Sequence, residues 1–325
     1  MTFYDKGEMG RQAATYGFQR DIFEKVYRLK ETLAFLNSEP IMKEHLLLKG
    51  GTAINLTIFN LPRLSVDIDL DYIPNDSREE MLKIREQLSL RLKEHMEDKG
   101  YLLNSGSRMS HSLDAFYFQY TNCAGNRDMI KIEINYSLRS HVLDSDNRNI
   151  STDAFGNQID IRTVAPMEIF AAKVNALMSR AAARDLYDFN NFINAGLFEN
   201  DKDLFRKIII FYATISADRI NKAFDTSAID EITFRKIKRD LLPMLSREEV
   251  RGHFDLEQYK NKAKTYIRNL MNVTNTEQEY MIRFESEKYQ PELLFNDEKI
   301  LKRIEKHPMA LWKILRSSNR SISAH

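Results

Sequence analysis

Three aspartates alternate with apolar residues in the run Val66-Asp67-Ile68-Asp69-Leu70-Asp71-Tyr72. A period of two belongs to a β-strand, so the carboxylates share one face while Val66, Ile68, Leu70 and Tyr72 share the other. Asp67 and Asp69 then point toward the same place, and bringing two anions together is costly unless a cation lies between them. Hard oxygen donors suit Mg²⁺, which keeps part of its water shell and takes further ligands from substrate phosphates. That is what phosphoryl transfer requires. Taken alone, alternating aspartates also serve as a solubility device on an exposed edge strand. Asp71 is read as lying beyond the metal and contributing only charge.

Upstream stands Gly50-Gly51-Thr52, where a glycine pair between a strand and a helix lets backbone N–H groups approach a phosphate closely. A double glycine there can equally be a plain tight turn. The order of strand, Gly-Gly-Thr, helix and then Asp-Ile-Asp on the next strand would set a phosphate cradle beside the metal ligands. Glu133, in the alternating run Ile130-Lys131-Ile132-Glu133-Ile134, is a candidate third carboxylate, as metal ligand or as base for the acceptor hydroxyl. Its plainer reading is a cross-strand salt-bridge partner. Lys173 lies along an apolar helical stripe formed by Phe170, Val174, Leu177 and Met178. An ammonium group on such a face snorkels or needs an anion, and a triphosphate would be one. Asp185 and Asp188, spaced i,i+3 on the next helix, could hold Lys173 or Arg180 in place.

The elements that must position these groups follow from hydrophobic periodicity. Ile22, Val26, Leu29, Leu33 and Leu36 predict an amphipathic packing helix within residues 14–37, and Leu46-Leu47-Leu48 predict a strand ended by the glycine pair. A charged helix is expected over 78–100, stopped by Gly100, then strands at 115–120 and 130–136. Residues 144–157 read as a polar loop, 159–164 as a last strand, and Pro166 as the first position of a new helix. From Asp201 onward helix follows helix, with breaks near Leu242-Pro243 and Pro291. The fold class expected is α+β, a small mixed sheet with flanking helices plus a C-terminal helical domain. The boundary is set at domains 1–198 and 199–325.

Bulk composition narrows the alternatives. With 325 residues and 43% hydrophobic content the chain can bury a substantial core. Its 48 basic and 47 acidic residues nearly cancel, so any nucleic-acid contact must come from a local patch. One such patch is residues 297–320, with seven Lys/Arg against three Asp/Glu and Trp312 as a stacking platform. The ordinary alternative is a solvated helix face with Trp312 packed inside. A single cysteine, Cys123, allows no internal disulfide, and no Cys/His cluster has zinc spacing. No signal peptide or membrane span is legible, and the chain is read as cytoplasmic.

These residues resemble the AbiEii family of nucleotidyltransferases, toxins of type IV toxin–antitoxin systems within the DNA polymerase beta-like superfamily. Lys49-Gly50-Gly51-Thr52-Ala53 with Arg63-Leu64-Ser65-Val66-Asp67-Ile68-Asp69-Leu70 looks like the first motif, and Lys131-Ile132-Glu133-Ile134 like the second. Lys173 with Ala176-Leu177 looks like the third and Arg184-Asp185-Leu186-Tyr187-Asp188 like the fourth, while His307-Pro308-Met309-Ala310-Leu311-Trp312 has the flavour of the C-terminal region. The resemblance covers residues 40–195 well and the rest loosely. It implies a polymerase beta-like core, phosphate binding by Gly51 and Thr52, metal ligation by Asp67 and Asp69, a triphosphate contact from Lys173 and a catalytic acidic role for Asp185. It further implies transfer of a nucleoside monophosphate from an NTP, releasing pyrophosphate, onto an RNA acceptor that in some relatives is the tRNA 3′ end. A cognate antitoxin that need not bind the toxin is also implied. The superfamily often has serine where Thr52 stands; threonine keeps the hydroxyl. The competing reading is a catalytically silent NTP- or partner-binding module.

Overall fold

The computed structural model describes residues 4–150, 154, 159–216, 220, 224–252 and 254–322. By its internal contacts the chain divides into two compact units. Unit 1 is Met1–Arg139, Ser145–Val164 and Leu242–Phe254, and unit 2 is Ser140–Asp144, Ala165–Leu241 and Asp255–His325.

Unit 1 is a mixed sheet with helices. In chain order it contains α1 (Lys6–Thr15), α2 (Arg20–Ser38), α3 (Pro40–His45), β1 (Leu46–Lys49), α4 (Gly50–Ala53), β2 (Asp67–Tyr72) and α5 (Arg78–Asp98). There follow β3 (Leu102–Leu103), β4 (Arg108–Met109), β5 (Leu113–Thr121), β6 (Arg127–Asn135), β7 (Asp146–Asn149) and β8 (Asp160–Thr163). The strand order is β3-β5-β6-β2-β1-β8-β7, with β4 pairing on β5. Both kinds of ladder occur: β2 runs antiparallel to β1 and parallel to β6. The alternating pattern does the work expected of it. Ile68, Leu70 and Tyr72 of β2 and Ile130, Ile132 and Ile134 of β6 are all buried, each such side chain contributing on the order of 1.5–3 kcal/mol.

The helices form where sequence signals them. The expected packing helix is broken at Gly17, which takes φ +73°, so α1 and α2 replace a single element, and α2 buries Phe23, Val26, Leu29, Leu33 and Leu36. A capping box between Ser77 and Glu80 starts α5, and Gly100 at φ +82° follows its end. Part of the polar loop expected over 144–157 is instead β7, antiparallel to β8. Its sequence Asp-Asn-Arg-Asn has no apolar alternation, and it is held by the ladder and by Arg148, whose Nε donates to the Thr57 carbonyl at 3.1 Å. Residues 151–153 and 155–158 of that loop lie outside the described residues.

Unit 2 is helical: α6 (Pro166–Ser179), α7 (Ala183–Asn194), α8 (Lys202–Ser216), α9 (Phe234–Asp240), α11 (Leu256–Leu270), α12 (Asn275–Glu285), α13 (Glu298–Ile304) and α14 (Pro308–Ile322). The intervening α10 (Arg247–Arg251) belongs to unit 1. Apolar residues all round α8, including Phe205, Ile208, Ile209, Ile210 and Phe211, make it the central helix, and α6, α12 and α14 pack on it. Arg206 of α8 reaches both carboxylate oxygens of buried Glu277 on α12 at 3.0 Å and 3.1 Å. An aromatic cluster joins Phe170 of α6 to Phe192 of α7, with centroids 4.7 Å apart, and Phe192 to Phe205 of α8 at 5.3 Å. The boundary expected after residue 198 therefore falls inside unit 2, because α6 and α7 bury their apolar faces against α8 and α11.

Among the described residues no helix is long and apolar enough to cross a membrane.

Candidate active site

In unit 1 the site is built on two neighbouring parallel strands. The β2–β6 register sets Asp67 beside Lys131 and Asp69 beside Glu133. Because alternate residues of a strand face the same way, these four side chains share the polar face of the sheet while the intervening isoleucines go to the core. On the other side of β2, Lys49 of β1 lies opposite Asp69, and its ammonium reaches along to the carboxylate of Asp71 at 2.5 Å. Asp71 is only 1% exposed, so its charge is spent on Lys49, a more definite role than the charge alone expected of it. Glu133 takes the ammonium of Lys131 at 2.8 Å, an ion pair along its own strand and not across strands.

This face carries four carboxylates, Asp67, Asp69, Asp71 and Glu133, against two ammonium groups. Burial pushes the carboxyl of Asp69 above the ordinary carboxylate range; Lys49 opposes this, Asp67 and Glu133 add to it, and Lys131 opposes it. Carboxylates gathered this closely at Asp67 and Asp69 repel one another, which a divalent cation would relieve, and hard oxygen donors fit Mg²⁺. Among the described residues no group of three or more His, Cys, Asp or Glu is arranged to hold a metal.

The glycine turn abuts this pair. Gly50 has φ +72°, and a Cβ on it would collide with the Asp69 carboxylate. A Cβ on Gly51 would stand 2.8 Å from Nη2 of Arg63 and 3.0 Å from the Ser65 hydroxyl. Both positions are therefore glycine for close approach, and Gly50 for backbone conformation as well. Arg63 is 2% exposed, with Nη1 donating to the Leu64 carbonyl at 2.9 Å, and it brings a fixed positive charge against the turn. Thr52 is fully buried, and its hydroxyl donates to the backbone carbonyl of Asp67 and lies 3.0 Å from the Ser65 hydroxyl, from which it can accept. Its side chain thus ties α4 to the start of β2. The first-turn amides of α4 lack intrahelical acceptors.

Unit 2 gathers the other expected residues. Lys173 of α6 is 7% exposed and donates to Asp185 at 2.9 Å and Asp188 at 2.8 Å, both on α7. Asp185 also accepts from exposed Arg180 at 3.2 Å. Burial raises the Asp185 carboxyl, but Lys173 and Arg180 outweigh it and hold the group below the ordinary carboxylate range. Lys173 therefore does not snorkel, and both aspartates fix it. On α14 the Trp312 ring is 49% exposed, with the Arg316 guanidinium 5.0 Å from its centroid, so the packed-inside alternative does not hold.

Residue spacing had not singled out Lys49 or Lys131. The signal was present, since each lysine sits two positions from, or directly opposite, a carboxylate on the polar face of an alternating strand.

The chain belongs to the AbiEii nucleotidyltransferase toxins of type IV toxin–antitoxin systems: the family model matches residues 33–269. It is a nucleotidyltransferase and a toxin, a class that implies an antitoxin and an NTP substrate. Among solved structures it is similar to MenT4, a nucleotidyltransferase toxin from Mycobacterium tuberculosis H37Rv. That match has 19% identity and a TM-score of 0.59, and it covers 96% of this chain and 99% of that one. The likeness is one of fold, and it agrees with the mixed sheet and helical unit described above. Comparison with curated proteins gave no match.

Proposed function

We propose that this toxin transfers a nucleoside monophosphate from an NTP to the 3′ end of a tRNA, with Mg²⁺ held by Asp67 and Asp69, in the cytoplasm. The observation that carries the reading is the Asp67/Asp69 pair on one face of β2 with the Gly50 turn pressed against Asp69. In the reaction the acceptor hydroxyl oxygen bonds to the α-phosphorus, the bond to the bridging oxygen breaks, and pyrophosphate leaves with that electron pair. The hydroxyl proton passes to a carboxylate of the sheet face. A bound divalent cation would supply charge neutralisation on the phosphate oxygens. The chain's own contribution is positioning and fixed charge: backbone amides of Gly51 and Thr52 receive phosphate oxygens, Arg63 backs the turn, and the strand register fixes the two aspartates. Lys173 and Asp185 are retained as proposed catalytic residues, the triad with Asp188 fixing the ammonium of Lys173.

Addition of nucleotide to a tRNA 3′ end would block aminoacylation and arrest growth. The cognate antitoxin acts in this reading without binding the toxin.

The test incubates the protein with each labelled NTP, Mg²⁺ and total cellular RNA, beside a chelator control and Asp69→Ala. One NTP should label RNA of tRNA size, and both controls should be blank. Label in no RNA with any NTP would reject the reading.

A further inference from the structure

Glu133 stands at the position of a third acidic residue, yet its carboxylate is engaged with Lys131 at 2.8 Å. Lys131 in turn lies beside Asp67 in the β2–β6 register. A lysine beside two metal-binding aspartates competes with the cation for them. Its presence calls for a use, and the chemistry of the substrate supplies one, because a triphosphate brings several negative charges of which one divalent cation offsets only part.

We propose that Lys131 is a phosphate-contacting residue of the nucleotide site and that Glu133 is its positioning residue, not a metal ligand. The inference rests on the nucleotidyl-transfer reading above. Its geometry is specific. Of the two lysines on this face, Lys49 is drawn to a carboxylate that is 1% exposed, which fixes it in the sheet. Lys131 is 30% exposed and its partner Glu133 24%, so the ammonium stands where solvent and substrate reach it, with donors beyond the one Glu133 accepts. Without Glu133 the ammonium would turn to Asp67 and Asp69 and obstruct the cation. Glu133 thus holds Lys131 off the metal ligands.

The test measures equilibrium binding of Mn²⁺ alone, and of the four α,β-methylene NTP analogues with Mg²⁺, to wild type, Asp69→Asn, Glu133→Gln, Lys131→Met and Lys131→Arg, each checked for folding by circular dichroism. Asp69→Asn should weaken Mn²⁺ binding by about tenfold or more, the range for losing a ligand or its support. Lys131→Met should leave Mn²⁺ binding equal or tighter but weaken the analogue by about tenfold, with Lys131→Arg restoring most of it because the charge is kept. Glu133→Gln should weaken the analogue in the same direction and add little when combined with Lys131→Met. A loss of Mn²⁺ binding in Glu133→Gln as large as in Asp69→Asn overturns the inference, as does unchanged analogue binding in Lys131→Met. A wild type that binds none of the four analogues sinks the nucleotidyl-transfer reading itself, and this inference with it.

Discussion

Gly50 faces the Asp69 carboxylate at a separation that no Cβ could occupy, and it does so from a left-handed backbone at φ +72°. The turn and β2 are therefore one mechanical unit. Moving either moves the other.

Gly50→Ala should accordingly show two effects. The left-handed conformation costs an L-residue about 1–2 kcal/mol, and the added methyl must displace Asp69. Urea denaturation should report that loss, and nucleotide transfer should fall by more than the unfolded fraction explains. Wild-type transfer by folded Gly50→Ala would show that the position of Asp69 is not critical.

Asp69 itself is held in an unfavourable state. Its folded-state pKa lies above its unfolded value, through burial first and then through Asp67 and Glu133 against the two lysines. For a raised carboxyl the folded state is favoured below the unfolded value, and stability is lost as pH rises through the folded one. Asp69→Asn should therefore melt higher than wild type at neutral pH in chelator, with the difference vanishing below about pH 4, while transfer is abolished. An equal or lower melting temperature at neutral pH would contradict this.

Lys173→Met removes the ammonium shared by Asp185 and Asp188, which are 9% and 0% exposed, and leaves Asp185 with only the exposed Arg180 as cation. Breaking a buried ion pair from one side costs about 3–5 kcal/mol, and neutralising Asp185 and Asp188 to Asn in the same protein should recover much of it. Asp185 has a lowered pKa, so its contribution is present above the unfolded value of about 3.9 and is lost as pH falls through the folded value. Wild type should lose this support in acid, whereas Asp185→Asn should show a flatter acid limb in denaturation.

Thr52→Val removes the hydroxyl that bridges to Asp67 and Ser65 inside the protein. The orphaned groups should cost about 1–3 kcal/mol, and Thr52→Ser should be close to neutral. If the hydroxyl served phosphate instead, Thr52→Val would raise the KM for NTP and leave stability unchanged.

The strands that carry the site were legible because a period of two survives in short runs: β2 and β6 begin and end within three residues of their sequence-based limits. Pro166 and Gly100 likewise mark the helix ends they should. Long-range pairing was another matter. Nothing local reveals that β2 and β6 lie parallel, and that register is what sets Lys131 beside Asp67. Glu133 shows the cost, since its pairing with Lys131 appears only once both side chains are placed. A gap between helices says nothing about which helices share a core, so the break near 198 does not reveal that α6 and α7 pack with α8 and α11. The strand β7 missed because an edge strand needs no apolar face.

Unit 1 is discontinuous along the chain, and its last segment is Leu242–Phe254. That segment supplies the Met244 carbonyl that accepts from the Leu64 N–H at 2.8 Å, and Leu245 forms a bridge to Arg63, the guanidinium packed against Gly51. A ribosome releases Asp67 and Asp69 long before it releases this tether, and helices α6 to α9 are made in between. Vectorial synthesis therefore delays assembly of the toxic sheet until most of the polypeptide exists. A nascent or prematurely terminated product ending before residue 242 carries the carboxylates without the brace that holds Arg63 against the glycine turn.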